Sequence, residues 1–488
     1  LRRALGFLAL TALLAGCVTG PRYAPPTPPA GTAGPLVSAR PADETPAPTP
    51  DAWWRLYNDP RLDGLLTEAF AANADLRAAQ ANLSAARALL QAARAGRYPA
   101  TGISAGAIEG RDAATDEILE IIGAKPTTIW LFDDVLDVSY ELDLFGRVRR
   151  SIEASRADAE ATVAARDVVK VTVAAETARA YALVCGLGEQ LTVARESLRV
   201  VDREAWITRQ RREAGAGSEF DVVRAQGLAA QVRAAIPPLE GQRRAALFQL
   251  AALLGRTPSR APVEAEACVT PPRLTALIPV GDGAALIARR PDVRLADRRL
   301  AAATARVGVA MADLYPRVSL TGLYGAVGSD TSDLTAERGL TWGVGPKISW
   351  SFPNQAAPRA RIRQARAGLE VALAGFDSAV LQALKESEQA LAAYGADLDR
   401  REALAEARDK ADRAFAIAHG EYLAGSIPDL DLLTAEQSLV AADAAVAASD
   451  SALVQDQVAV FKALGGGWRA GPGAPARPGS LQLPAERP

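Results

Sequence analysis

Two halves of the chain repeat each other, and the repeat limits the folds open to it. Asp75, Arg77, Leu83, Tyr98 and Pro99 recur as Asp292, Arg294, Leu300, Tyr315 and Pro316, and Gly215, Asp221, Ala225, Leu254 and Gly255 recur as Gly425, Asp431, Ala435, Leu464 and Gly465. Each copy reads helix, strand, strand, very long helix, helix, so the unit is a β-hairpin carried on a helical hairpin. Repeat 1, residues 51–270, holds a helix at 60–97, a hairpin at about 100–145, a long helix at 147–213 and a helix at 218–254. Repeat 2, residues 271–464, holds the counterparts at 282–314, about 316–352, 359–423 and 429–463. Two hairpins put four strands in one chain. No linker separates the repeats, so the 488 residues read as one elongated body rather than as the two or three domains that length alone suggests.

The long helices follow from pattern. Residues 359–423 contain no proline, and Ile362, Leu369, Leu373, Phe376, Val380, Leu384, Leu391, Tyr394 and Leu398 fall at spacings of three, four or seven, a coiled-coil-like stripe. Residues 147–213 behave similarly, and at 1.5 Å per residue each helix runs roughly 100 Å. The apolar fraction is 49% while aromatics are only 5%, because much of it is alanine, which suits close helix packing. Pro237-Pro238 predicts a kink in the helix 218–254, since proline lacks the backbone donor and clashes with the preceding turn.

The strands carry a period of two. Leu340, Trp342, Val344, Ile348, Trp350 and Phe352 alternate with Thr341, Gly343, Gly345, Lys347, Ser349 and Ser351, and Leu136, Val138, Tyr140, Leu142 and Leu144 alternate with Asp137, Ser139, Glu141 and Asp143. Val318, Leu320, Tyr324 and Ala326 share one side of a third strand, and Thr101–Glu109 is a weaker fourth. One face is greasy and aromatic and the other polar, over the roughly 9 to 11 residues that cross a bilayer. The competing reading is a soluble amphipathic sheet packed on helices. Pro346 cannot donate to a ladder and is expected at a bulge or near the membrane rim. In lipid, four strands cannot stay open, because each unpaired backbone group costs several kcal/mol. The barrel must therefore close between chains. Two chains make an eight-stranded barrel filled by its own side chains, whereas three make twelve strands with a lumen.

Arg2 and Arg3 precede an apolar run, Ala4–Gly16, which fits a secretory signal and is too short to span a membrane as a helix. The run ends in Leu14-Ala15-Gly16-Cys17, which resembles a bacterial lipobox; the resemblance implies a signal peptide at 1–16 and a lipid on Cys17, and Val18 after the cysteine implies the outer membrane. Residues 17–50 are rich in Pro, Ala, Thr and Gly and read as an extended tether, while residues 465–488 read as a disordered tail.

Gly20-Pro21-Arg22-Tyr23, Asp51-Ala52-Trp53-Trp54 and Asn73-Ala74-Asp75-Leu76 resemble the start of TolC/NodT-like outer membrane factors, the exit ducts of efflux systems, and the resemblance extends to about Trp468. It implies an α+β membrane protein: long α-helices forming a trimeric helical barrel through the periplasm, with four β-strands per chain contributing to a shared 12-stranded transmembrane β-barrel. Its implied partners are two further copies in a homotrimer, a periplasmic adaptor (membrane fusion protein), an inner membrane RND-type pump and outer membrane lipid. The expected function is the passive channel of a tripartite efflux pump for drugs or other small toxic compounds. Alternatives are the exit duct of a type I protein secretion system and a lipid-anchored periplasmic coiled-coil scaffold without a pore.

Formal net charge is −2 with acids and bases mixed along the helices, which gives no electrostatic support for a nucleic-acid partner. No catalytic residue, metal site or cofactor is expected. The one histidine, His419, reads as a surface or packing residue, a single methionine, Met311, cannot line a soft-metal path, and Gly186-Leu187-Gly188 lacks the strand and third glycine of a dinucleotide site.

The turns at Gly215–Glu219 and Gly425–Asp429 lie at the far end of the long helices from the strands. Ser218 with Asp221 forms a capping pair, and Pro428, Asp429 and Asp431 open the last helix with charges its dipole favours. The run holding Tyr422, Gly425, Leu430, Asp431, Leu433, Thr434 and Ala435 resembles the family's periplasmic gate, in which an apolar ring and acidic rings constrict the pore. Gate roles are thereby implied for Tyr422, Leu430, Asp431 and Thr434, with Thr434 standing where an aspartate is more usual. Lipidation of Cys17 leaves Cys185 and Cys268 in an oxidising compartment, an even remainder that predicts a disulfide. Counting back from the turn near Gly217 places both at a similar level along the helical pair. Two free buried thiols are the alternative.

Overall fold

The computed structural model describes residues 18–42, 44–111, 116–117, 120–123, 125, 128–274 and 276–467. In chain order these form strand β1 (Glu44–Thr45), helices α1 (Pro60–Ala72) and α2 (Ala74–Ala95), strands β2 (Ala100–Gly110) and β3 (Ile129–Leu142), and helices α3 (Arg147–Glu213), α4 (Glu219–Ala234) and α5 (Ile236–Leu253). There follow β4 (Ile278–Pro279), α6 (Gly283–Arg289), α7 (Pro291–Ala312), β5 (Arg317–Gly328), β6 (Leu340–Ser349), α8 (Ala356–Leu423) and α9 (Asp429–Ala463). Instead of one body, the chain divides into two compact units, each assembled from separated stretches of sequence.

The first unit takes in Asn82–Thr162, Leu295–Phe376 and, of the described residues before them, 18–27. Its centre is an antiparallel sheet of four strands in the order β2-β3-β5-β6. Register sorts the side chains by face. Ile103, Leu136, Tyr324 and Trp342 stand opposite one another in one row, and Tyr140, Leu320 and Pro346 in another on the same face. The other face carries the rows Glu141, Ser319, Lys347 and Ser139, Thr321, Gly345, together with Asp133 and Asp137. The apolar face is bare within the chain: Ile103, Tyr324, Trp342, Val344 and Ile348 are all exposed. Pro346 sits at no bulge, because the β5–β6 register runs unbroken from Arg317↔Ser349 to Ala326↔Leu340. β6 is an edge strand in the chain, and an edge tolerates a residue without a donor. Where the chain leaves the sheet, Asp143 caps α3 by accepting from the Val148 and Arg149 amides, both at 2.8 Å.

The second unit takes in Pro28–Ala81, Val163–Arg294 and the chain from Asp377. Its core gathers Trp53, Tyr57, Leu62, Leu66, Tyr181, Leu250, Leu254, Leu391 and Phe461, with the Trp53 and Phe461 rings stacked 4.8 Å apart. Burying such rings contributes about 2 to 3 kcal/mol apiece. Sequence periodicity cannot show this core, because these members come from six separate segments.

Several expected boundaries change for local reasons. The helix expected at 60–97 breaks at Asn73, whose side chain accepts from the Asp75 and Leu76 amides and donates to the Leu253 carbonyl at 3.0 Å. The helix expected at 218–254 divides at Ala235, just before Pro237-Pro238, and the one expected at 282–314 divides at Arg290, ahead of Pro291. The last long helix starts at Ala356 rather than 359, its amide bonded to the Asn354 side chain.

The stretch expected as an extended tether is packed instead. β1 pairs in parallel with β4, Leu36 and Glu44 are buried, Thr49 donates to the Pro279 carbonyl at 2.7 Å, and Arg40 donates to the Gly395 carbonyl at 2.7 Å. Gly465–Gly467, expected in the disordered tail, are buried, and Gly466 lies so close to Trp53 that a Cβ would stand 2.6 Å from the ring. Cys17, the signal segment and residues beyond 467 lie outside the described residues.

Candidate functional site

The helical turns after α3 and α8 are built alike. Gly215 and Gly425 take φ of +81° and +74°, a left-handed conformation in which only glycine is unstrained. At the first turn the Gly215 and Ala216 amides donate to the Arg212 and Arg211 carbonyls, and at the second the Gly425 and Ser426 amides donate to Tyr422 and Glu421. Both are Schellman closures, which satisfy the last carbonyls of a helix and reverse the chain sharply. Ser218 and Asp221 then form a reciprocal capping box at the start of α4. Pro428 opens α9 without a side-chain cap, leaving Asp429 and Asp431 in the first turn, where the helix dipole favours them.

The four residues expected at the gate divide into two groups. Leu430, Asp431 and Thr434 are exposed on α9, with the Thr434 hydroxyl donating back to the Leu430 carbonyl at 2.7 Å. Tyr422 turns inward and is buried. Its ring lies 4.5 Å from the Arg211 guanidinium, and its hydroxyl faces the Asp429 carboxylate. Burial pushes the Tyr422 phenol up, with the Asp429 charge adding to it. Burial likewise pushes the Asp429 carboxyl up, against the pull of the Tyr422 hydroxyl, and Asp221 adds repulsion.

Two further members of this tip are Glu204 of α3 and Glu436 of α9. Both are raised, chiefly by burial, and Glu436 reaches about 7. A signal for Glu436 existed in the sequence: it stands four residues after the buried Leu432, on the inner stripe of α9. For Arg211 there was none, since an arginine near a helix end serves the dipole equally well. His419 is half-buried with its ring 5.9 Å from that of Phe415.

Farther along the second unit, Cys185 of α3 and Cys268 are joined with sulfurs 2.15 Å apart and Cα atoms 4.8 Å apart. Gly186 beside it is a packing residue, since a Cβ there would stand 2.2 Å from the Ser451 hydroxyl. Arg290 is buried between helices and donates to the Ala463 carbonyl at 2.6 Å, to Asp292 at 2.6 Å and to Glu386 at 2.7 Å. Among the described residues, no group of three or more His, Cys, Asp or Glu side chains is placed to hold a metal ion.

An amphipathic sheet bare on its apolar face fits a wall of a membrane conduit. The family model described as outer membrane efflux protein matches residues 65–256 and 284–466, most of the chain. The chain belongs to the outer membrane efflux protein family. The pyoverdine export outer membrane protein OpmQ of Pseudomonas putida is 31% identical to this efflux protein, over 96% of this chain and 98% of its own. Nodulation protein T of Rhizobium leguminosarum bv. viciae is 28% identical, over 96% and 94%. The solved outer-membrane channel OprN superposes with a TM-score of 0.85 and 35% identity, over 93% of this chain and all of that one. The efflux protein is accordingly an efflux channel of the outer membrane, a transport protein rather than an enzyme.

Proposed function

We propose that three copies of the chain close into one exit duct, with a shared barrel of about twelve strands and a lumen. The observation that carries this reading is the sheet: four strands, one apolar face left bare, and the outer edges of β2 and β6 unpaired within the chain. In lipid those edges must pair, and only another copy offers matching strands. The apolar face then meets lipid, and Asp133, Asp137, Glu141 and Lys347 line the water-filled side. The two repeats supply alternate sectors of the wall. Cys17 carries a lipid that joins the barrel as a second anchor.

The duct is passive. A periplasmic adaptor opens it and an energised inner membrane pump of the RND type feeds it, as the resemblance to tripartite systems implies. OpmQ exports pyoverdine, and small molecules of comparable size are the expected cargo here. The tip carrying Leu430, Asp431 and Thr434 forms the constriction, held by the packing of Tyr422 on Arg211 and Asp429.

Purified full-length protein in a planar bilayer tests this reading. Discrete cation-preferring conductance steps are expected, and chemical cross-linking should stop at three chains. A protein that binds membranes without conducting is a scaffold, and the reading fails.

A further inference from the structure

The inner face of the tip contains a carboxyl group that no described residue satisfies. Glu436 is 1% exposed, and among the described residues neither of its carboxylate oxygens has a hydrogen-bond partner. Three residues before it on the same helix, Leu433 packs with Ala205 of α3 and Ala225 of α4. The charged groups that face Glu436 are acids, Glu204 from α3 and Asp429 from its own helix. Cations stand one step away. Glu204 has His419 of α8 and Arg203 beside it, and Asp429 has Arg211 of α3, Arg224 and Asp221 of α4, and the Tyr422 hydroxyl of α8.

An ionised carboxylate without partners in such a place costs several kcal/mol, so the group must be neutralised or the packing must give way. A metal ion is disfavoured, because these acids do not converge at ligand spacing. A neighbouring copy is disfavoured too, because the carboxyl is already enclosed by helices of its own chain. A proton fits. We propose that Glu436 is a proton site governing the packing of the helical tip: protonated, it lies between α3 and α9; ionised, it drives α9 away from Glu204.

The sign follows from linkage. Burial, reinforced by Glu204 and Asp429, raises Glu436 to about 7 in the packed tip. In a parted tip, wetted by solvent, it returns to the ordinary carboxylate range. The packed tip therefore binds the proton more tightly. Its extra stability is complete in acid and is lost as pH rises through about 7. The ratio of parted to packed tips rises by at most about tenfold per pH unit for each chain.

The test uses the full-length protein in lipid discs, with infrared spectra and thermal melts taken between about pH 5 and about pH 8.5. In the wild type, a carbonyl band of a protonated carboxyl should disappear near neutral pH while the melting temperature falls. Glu436→Gln should lose its share of that band, leaving the share of Asp456, which burial and Asp397 also raise to about 7, and lose the corresponding part of the pH dependence. Glu204→Gln, which removes a facing charge without altering Glu436, should move the Glu436 share to lower pH. A wild type without a near-neutral band, or a band undiminished in Glu436→Gln, overturns the proposal. The consequence for transport rests on the tip being the constriction, and conductance reads it separately. Conductance rising several-fold over the same window joins the two; a titrating band and melting temperature with flat conductance leave the proton site standing and move the constriction elsewhere.

Discussion

Arg211 lies over the ring of Tyr422 at 4.5 Å, so the last turn of α3 is tied to the last turn of α8. The Tyr422 hydroxyl faces Asp429 at the start of α9, so one side chain sits where three helix ends meet. A cation–π contact of this kind contributes about 1 kcal/mol, roughly a fivefold change in an equilibrium between parted and packed tips. Arg211→Ala is therefore expected to raise single-channel open probability about fivefold. Tyr422→Phe keeps the ring and loses only the hydroxyl that faces Asp429, and should have a smaller effect than Tyr422→Ala. Equal gating in all three variants would remove Tyr422 from the tip's closure.

The exposed trio makes a different prediction. In a ring of three chains, Leu430→Ala should widen the constriction and raise conductance, and Asp431→Asn should weaken cation preference. Thr434→Asp would place a second carboxylate one turn after Leu430 and should strengthen that preference. Reversal potentials under a salt gradient measure both shifts; values unchanged across the series place the selectivity elsewhere.

Cys185 and Cys268 are 83 residues apart in sequence. For a loop of that length the chain-entropy model assigns about 4.5 kcal/mol of stabilisation to a disulfide. Mass spectrometry of unreduced, denatured protein should find the linked peptide pair, and reductant should lower the melting temperature of the wild type but not of Cys185→Ser/Cys268→Ser. Two thiols alkylated without reduction would show that the bond is not formed.

Arg290 fills the break between α6 and α7 and at the same time meets the carbonyl of Ala463 and the carboxylate of Glu386. Arg290→Met takes the guanidinium away from two carboxylates and leaves the Ala463 carbonyl only the Ser387 hydroxyl, and should destabilise the protein by about 3 kcal/mol. Lysine offers a single point of charge and should recover only part of the loss. Melting curves of the two variants provide the comparison, and a wild-type melting temperature for Arg290→Met would contradict the assignment.

Metabolic labelling with a fatty-acid analogue should tag the wild type and lose the tag in Cys17→Ser. Conductance should persist in that variant, because a closed barrel holds the protein in the membrane more firmly than one lipid does. A tag retained by Cys17→Ser excludes that cysteine as the lipid site.

What the sequence determined by itself is the part governed by short-range periodicity. Alternation along β3, β5 and β6 sorted Leu136, Tyr324 and Trp342 from Asp137 and Lys347, because side-chain direction in a strand depends on parity alone. Long proline-free stretches with a repeating apolar stripe marked α3 and α8 in the same way. Only the tertiary structure decided the rest. The break at Asn73 is held by its bond to Leu253, 180 residues away along the chain, and Arg290, at a break that Pro291 already marks, finds its partner in Ala463, 173 residues away. Residues 28–50 look like a linker by composition, yet β4 and the Glu388 carboxylate give their backbone partners. Glu436 shows the limit most clearly: its spacing could place it on the inner stripe of α9, but that it would face Glu204 there depended on α3 arriving beside it. Periodicity is a property of one segment, whereas burial and charge pairing belong to the segments that meet.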